Sequence, residues 1–231
     1  GKVFCTGCGS TGRLSIQLAS IWRDFWQQRA SAGDAWAAKW EDRVFSVMAG
    51  GDFALIKAVE GFEDFTQFGR RQIHDLGVSA GDVVFAITEG GETSFVIGTA
   101  WEGLDSGAKV YFVYNNPDEV LCEKVIRSRE VIQEPRIEKV NLTTGPMGIT
   151  GSTRMQATSI QLAVLVTVLE MVIRDLMREL EPNGPCALDS AAVPAQFLAQ
   201  LETLHATLKS AEVLTPLAQL TALEEAVYRA G

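Results

Sequence analysis

Two short segments of this chain combine glycine, hydroxyl residues and arginine in the same order. Residues 9–13 read Gly-Ser-Thr-Gly-Arg, and residues 151–154 read Gly-Ser-Thr-Arg. The first segment follows an apolar run at residues 3–5 and precedes a helical pattern; at such a strand-to-helix turn, backbone N–H groups and the helix dipole point towards a bound anion. The second segment precedes another long helical pattern. Two such turns predict a phosphorylated small molecule as the ligand rather than a dinucleotide.

Other ligands for these turns fit less well. Residues 7–12 match the Gly-x-Gly-x-x-Gly pattern of nicotinamide enzymes, but no acidic residue ends the second predicted strand, where such an enzyme binds the ribose hydroxyl. Cys5 and Cys8 form a C-x-x-C pair, but no second cysteine pair completes a zinc site, so we interpret both as buried thiols. The sequence therefore predicts no cofactor and no metal.

The composition restricts the partners of the chain. Its 231 residues are 47% hydrophobic, which is enough to bury a full core, and its formal net charge is −9. This acidity disfavours sequence-independent binding to nucleic acid, because phosphate backbones need clustered Lys and Arg. The sequence has no signal-peptide pattern and no apolar run of ~18 residues. We therefore expect a cytoplasmic protein that contacts neither nucleic acid nor a membrane.

Runs rich in Val, Ile and Phe alternate with helical patterns along the first part of the chain. The predicted strands are residues 3–6, 43–49, 82–88, 109–115 and 139–142. The predicted helices between them are residues 14–26, 53–62, 69–76 and 93–107. This alternation predicts an α/β fold, in which a five-stranded parallel sheet is flanked by helices in three layers of the flavodoxin or Rossmann type.

From residue 152 onwards the sequence predicts only helices. These are residues 155–181, 193–211 and 217–229. The first of them is apolar on more than one stripe, so we expect it to be buried on more than one side, by the domain or by a second subunit. We predict a ligand-binding domain at residues 1–181 and, at residues 186–231, a helical extension or a linker to a second domain.

Small and polar residues follow each predicted strand. In open parallel sheets the ligand lies beyond the carboxyl ends of the strands. The candidate contacts at those ends are Ser10, Thr11, Arg13, Gly50, Gly51, Thr88, Glu89, Gly90, Gly91, Glu92, Thr93, Ser94, Asn115 and Asn116. Glycines at strand ends often serve only a tight turn, so this pattern alone does not define a site.

Residues 7–14 (Gly-Cys-Gly-Ser-Thr-Gly-Arg-Leu) resemble the first loop of sugar isomerase (SIS) domains. The similarity is greatest to the branch that contains the N-acetylmuramic acid 6-phosphate etherases and the glucokinase regulatory protein. Four more segments agree with that branch in order and rough spacing: residues 49–51, 60–64, 116–117 and 150–155. The resemblance runs from about residue 2 to residue 180. It implies a five-stranded parallel sheet, dimerisation and a phosphosugar ligand.

The resemblance also implies roles for particular residues. The expected phosphate contacts are Ser10, Thr11, Thr88, Gly91, Thr93 and Ser94. Neutral N–H and O–H donors suit this task, because several of them can spread the charge of one dianion. The expected sugar contacts are Arg13, Gly51, Glu60, Glu63, Asn116, Ser152, Thr153 and Arg154. Glu63, which corresponds to a family carboxylate near the sugar ring, is the candidate catalytic residue.

Three departures from the etherases bear on catalysis. The etherases carry an acid–base glutamate eight residues after the loop arginine, where this chain has Ile21, and a lysine where it has Gln156. Their Ser-Gly-Arg-Thr loop after the third strand is Gly-Gly-Glu-Thr at residues 90–93. Glu92 beside a phosphate ~6 Å away would cost about 2–3 kcal/mol, so we expect either weaker phosphate binding or an outward-turned Glu92.

These observations predict a phosphosugar-binding domain with a regulatory or sensing role. One alternative is a divergent etherase, which is a lyase, or a sugar-phosphate isomerase, with Glu63 as base and Glu89 or Glu92 as its partner. Another is a protein-interaction module with a decayed sugar site, whose contacts would be the tryptophan-bearing residues 26–40 and the C-terminal helices. Because the chain begins directly at its first strand, we expect it to be the first SIS domain of a longer tandem protein. Its partner would then be that second domain or an identical subunit.

Overall fold

A computed structural model describes residues 1–57 and 61–231 of the chain. In these residues the strands are β1 (Val3–Gly7), β2 (Val44–Met48), β3 (Val83–Ile87), β4 (Lys109–Tyr114) and β5 (Ile137–Asn141). The α-helices are α1 (Ser10–Ser31), α2 (Phe53–Ile56), α3 (Thr66–Asp75), α4 (Ser94–Asp105), α5 (Asp118–Lys124), α6 (Ile126–Gln133), α7 (Ala157–Leu180), α8 (Val193–Leu208) and α9 (Ala211–Ala230).

The five strands form one parallel sheet in the order β2-β1-β3-β4-β5, which confirms the predicted fold class. From β1 the chain moves to the edge strand β2, whereas from β3 it moves towards the other edge. Crossover connections are right-handed, so α1 and α4 cover opposite faces of the sheet. The loops after β1 and β3 therefore lie side by side where the strand order reverses, which is where open α/β sheets bind ligands.

Glycines let α3 and α4 approach each other closely. A Cβ atom on Gly98 would lie 2.1 Å from the backbone oxygen of Thr66, and one on Gly69 would lie 1.9 Å from that of Phe95. Such distances leave no room for a side chain, so the two helices can pack at this separation only with glycine at both positions. This contact helps to hold the N-terminus of α4 at the edge of the sheet where the strands end.

The tryptophans of residues 26–40 pack on the domain. Trp26 is fully buried and stacks on Trp40 with 5.7 Å between the ring centroids, and Trp36 meets Trp26 edge-on. The Trp22 indole N–H donates a hydrogen bond of 2.7 Å to the backbone oxygen of Trp40. This segment therefore stabilises the 3-10 helix Ala35–Arg43 against α1, which favours a packing role over a contact patch.

Several element bounds differ from the sequence prediction. The helix predicted at residues 53–62 ends at Ile56, because Lys57 has extended backbone angles, and residues 58–60 of that prediction lie outside the described residues. The helices α5 and α6 were not predicted, since segments of 7 and 8 residues give little periodicity. The last helix begins at Ala211 and continues through Pro216 at the cost of one backbone hydrogen bond.

Contacts within the chain define two compact units, Gly1–Val166 and Thr167–Gly231. The first contains the sheet, α1 to α6 and the start of α7. In the second, Arg174 donates to the backbone oxygen of Asp189 and Arg178 donates to that of Leu188, which ties the end of α7 to the segment before α8. The predicted division at residues 181–186 stays a prediction. None of the helices described here combines the length and the apolar character that a membrane span requires.

Candidate functional site

The loop after β1, residues 7–13, is called the first loop. Gly9 has a φ of 56°, a conformation that favours glycine, and α1 begins at the next residue. The Thr11 hydroxyl accepts a hydrogen bond of 3.0 Å from the Cys8 N–H and donates one of 3.0 Å to the Cys8 oxygen. This buried threonine therefore fixes the shape of the turn, while Ser10 at the start of the helix is only half-buried.

Residues 151–156, called the late loop, lie beside the first loop. Gly151 has a φ of 81°, and a short 3-10 turn at Thr153–Met155 leads into α7. The two loops and α7 enclose a cleft of ≈ 550 Å³. Its lining residues are Gly9, Ser10, Arg13, Leu14, Gln17, Arg154, Thr158 and Leu162. The two segments that share the Gly-Ser-Thr pattern thus meet in one cleft.

The charges around this cleft favour an anion. Arg13 is exposed and donates to the backbone oxygen of Gly9 at 3.2 Å, and Arg154 is also exposed. Both arginines line the cleft beside the N-terminus of α1, whose first backbone N–H groups carry partial positive charge. A phosphate in the cleft could accept charge-assisted hydrogen bonds from these groups and from the Ser10 hydroxyl.

The loop after β3, residues 88–93, is called the third loop. Thr88 is fully buried, and its hydroxyl oxygen lies 3.0 Å from that of Thr93 and accepts a hydrogen bond of 3.3 Å from the Gly91 N–H. Thr93 and Ser94, at the start of α4, are half-buried, and the side chain of Glu92 is exposed to solvent. This exposure agrees with the expectation that Glu92 turns outwards, away from a bound phosphate.

Carboxylates from two elements converge on the first loop. The Cys8 thiol donates a hydrogen bond of 3.3 Å to Glu63 Oε2. Burial, this hydrogen bond, and the charges of Glu63 and Glu89 raise the pKa of Cys8 to about 12. Burial likewise raises the pKa of Cys5 to about 12, so both members of the C-x-x-C pair stay protonated thiols at neutral pH.

Glu89 lies at the junction of the third loop, the late loop and α7. Its Oε1 accepts a hydrogen bond of 3.1 Å from the Thr158 hydroxyl. Burial raises the pKa of the Glu89 carboxyl group. Hydrogen bonds, including those from Thr158 and Thr153, and the charge of Arg154 lower this pKa, but the effect of burial is larger. A carboxyl group with a raised pKa beside a cleft is a common feature of functional sites.

Other expected contacts lie apart from the cleft lining. Asn116 donates a hydrogen bond of 3.1 Å to the backbone oxygen of Gly90 and so braces the third loop. Gly51 lines a second cavity of ≈ 580 Å³ between α1, β2 and α3. Ser152 is half-buried at the start of the late loop. Glu60 lies outside the described residues.

Sequence reasoning missed two polar residues of α7. Thr158 lines the cleft, and the fully buried Gln161 donates hydrogen bonds to the Thr88 backbone oxygen at 3.0 Å and to Asn115 Oδ1 at 2.6 Å. Gln161 therefore connects α7 to the ends of β3 and β4. The available signal was the spacing of Thr158 and Gln161, three positions apart in the first turns of α7, which places both on one face.

Comparison with known proteins gives two results. Residues 1–102 match the family model "Glucokinase regulatory protein N-terminal SIS domain". Similar curated proteins include "N-acetylmuramic acid 6-phosphate etherase" of Yersinia pestis (strain Pestoides F) and of Yersinia pseudotuberculosis serotype O:1b (strain IP 31758). Each is 29% identical over 216 residues, which cover 89% of this chain. The chain spans 66% of the length of each of these relatives.

Proposed function

We propose that the chain, which resembles the glucokinase regulatory protein N-terminal SIS domain over residues 1–102 and the N-acetylmuramic acid 6-phosphate etherases over most of its length, is an SIS domain that binds a phosphorylated sugar in the cleft between its first and late loops. We propose a regulatory or sensing role for this binding. The observation that carries the proposal is the convergence of Ser10, Arg13 and Arg154 on one cleft at the N-terminus of α1. Hydroxyl, guanidinium and helix N–H groups together match the oxygens of a phosphate.

The regulatory role is supported by the residue that this chain has where the etherases carry their acid–base glutamate. Ile21 occupies that position in α1, and isoleucine cannot transfer a proton. Elimination of a lactyl ether needs one group that removes a proton and another that protonates the leaving oxygen. A cleft that presents Ser10, Arg13 and Arg154 to a phosphate but lacks one of these groups can bind the sugar without converting it.

Calorimetric titration of the full chain tests the binding. We expect glucose 6-phosphate, fructose 6-phosphate or N-acetylglucosamine 6-phosphate to bind, and the unphosphorylated sugars to bind far more weakly. Arg154→Met should reduce the affinity about 10–100-fold, the value of a hydrogen bond to a charged group. Arg23→Met is the matched control, because Arg23 pairs with Asp42 away from the cleft. A folded protein that binds none of the three phosphates at millimolar concentration would disprove the proposal.

A lyase or isomerase is the second candidate function. One support is the name of the relatives, which are etherases. The other is the surroundings of Cys8: its thiol bonds to Glu63, and the charge of Glu89 raises its pKa, so two carboxyl groups lie near the same thiol. If the chain is an etherase, N-acetylmuramic acid 6-phosphate should release lactate, and Glu63→Gln should abolish the release. Turnover that is unchanged in Glu63→Gln would show that Glu63 is not the base.

We further propose a reducing, cytoplasmic setting for this activity. Cys5, Cys8, Cys122 and Cys186 are all free thiols in the structure. Free cysteines of this kind are typical of reducing compartments.

A further inference from the structure

Glu89 stands directly behind the cleft. Its carboxyl group accepts a hydrogen bond from Thr158, and it is stabilised in its ionised form by Thr153 and by the charge of Arg154. Arg154 and Thr158 both line the cleft. The Glu89 carboxyl group is therefore joined by one hydrogen bond to a residue of the cleft lining.

Few other groups around Glu89 can change their charge. The late loop contributes Arg154 and Thr153, α7 contributes Thr158, and the first loop contributes the Cys8 thiol, whose pKa of about 12 keeps it neutral. Glu63 reaches this cluster through its hydrogen bond with Cys8. A proton taken up beside Thr158 would accordingly reside on a carboxyl group, and Glu89 is the carboxyl group that accepts the Thr158 hydrogen bond.

We propose that Glu89 makes ligand binding depend on pH: when a ligand phosphate occupies the cleft, Glu89, bonded to Thr158 of the cleft lining, binds one proton from solvent. The inference rests on the proposed function. The phosphate and the ionised Glu89 would both bear negative charge close to Thr158, which lines the cleft and bonds to Glu89, and protonation of Glu89 removes their repulsion. Burial already raises the pKa of Glu89, and a phosphate in the cleft would raise it further in the same direction.

This linkage fixes the direction of the pH dependence. A group whose pKa rises when the ligand binds takes up protons, so binding strengthens as the pH falls through the pKa of the complex. The second ionisation of the phosphate, near pH ~6, acts in the opposite direction if the dianion binds better. Comparison of a Glu89 variant with the unmodified chain cancels this contribution of the ligand.

Glu89→Gln and Glu92→Gln form a matched pair. Each removes one negative charge from the third loop, but the Glu92 side chain is exposed, and it is the backbone oxygen of Glu92 that accepts a hydrogen bond from Arg127. Glutamine at position 89 can still accept the hydrogen bond of Thr158. We would titrate both variants and the unmodified chain with glucose 6-phosphate, N-acetylglucosamine 6-phosphate and inorganic phosphate.

Glu89→Gln is expected to bind sugar phosphates about tenfold more tightly than the unmodified chain near pH 8, since one pKa unit corresponds to a tenfold change, and this difference should shrink steadily as the pH is lowered. Glu92→Gln should change the affinity by about twofold or less at each pH, because its charge is screened by solvent. Titration near pH 7 in two buffers of different ionisation enthalpy should show proton uptake by the unmodified chain and less by Glu89→Gln.

Equal pH dependence or equal proton uptake in the unmodified chain and Glu89→Gln would overturn the inference while leaving the proposed function intact. Thermal unfolding confirms that each variant is folded. If the unmodified chain itself binds none of the sugar phosphates, the proposed function fails, and this inference fails with it.

Discussion

Hydroxyl groups of the first and third loops have two different roles, one in the stability of the loops and one in the proposed binding of the ligand. Thr11 and Thr88 are buried, and their side-chain oxygens are bonded to groups of their own loops. Ser10 lies on the cleft, where its hydroxyl can meet a ligand. Ser10 and Thr11 are adjacent and both carry a hydroxyl group, yet Thr11 stabilises its loop whereas Ser10, in our proposal, binds the ligand.

Substitutions at neighbouring positions should separate these two jobs. Thr11→Val keeps the shape of the side chain but leaves the Cys8 N–H without its side-chain acceptor, so we expect a loss of about 1–3 kcal/mol in the free energy of unfolding. Ser10→Ala should leave that free energy within about 0.5 kcal/mol and should weaken phosphosugar binding. Denaturant unfolding and calorimetric titration measure the two effects. Equal stability loss in both variants would contradict this division.

The position of α4 depends on its contact with α3. The two helices touch through backbone atoms at Gly69 and Gly98, and the same contact sets where the first residues of α4 stand relative to the third loop. Small changes at this contact should therefore affect stability first and the site second.

Gly98→Ala should destabilise the fold although alanine favours helices. Its Cβ would lie 2.1 Å from the Thr66 oxygen, so the helices must move apart, and overpacking of this kind costs about 1–3 kcal/mol. Gly148→Ala is the control, because a Cβ there meets no atom within 4 Å and its φ is ordinary. Thermal unfolding compares the two. A Gly98→Ala variant as stable as the control would show that the α3–α4 contact is loose.

At the scale of the whole molecule, the second unit exposes many leucines. On α8 they are Leu198, Leu201, Leu204 and Leu208, and on α9 they are Leu214, Leu217, Leu220 and Leu223. Each leucine gains about 1.5–3 kcal/mol when it becomes fully buried. An apolar surface of this extent favours association, so we propose that α8 and α9 pair with a second copy of the chain.

Light scattering at micromolar concentration tests this association. We expect a mass of about twice 25.1 kDa for the chain alone. The double variant Leu204→Gln, Leu220→Gln should be a monomer, because its amide groups would lose their hydration if the interface formed. Val120→Gln is the control, since Val120 is also half exposed but lies on α5. A monomer that binds no hydrophobic dye would show that these leucines do not form an interface.

The sequence by itself determined the number and direction of the strands and the loops that could hold an anion. Burial of a strand and the start of a helix are local properties, which leave their pattern in neighbouring residues, as in residues 3–13. The first loop is therefore recognisable from the order of its own residues and of the apolar residues on either side.

Only the tertiary structure decided which side chains meet. Thr158 and Glu89 are 69 positions apart, and Gln161 and Thr88 are 73 positions apart, yet each pair is joined by a hydrogen bond. No local pattern encodes such contacts, because they depend on the strand order β2-β1-β3-β4-β5 and on where α7 begins. The same dependence explains why the sequence could not separate Thr11 and Thr88, which brace their loops, from Ser10, which faces the cleft.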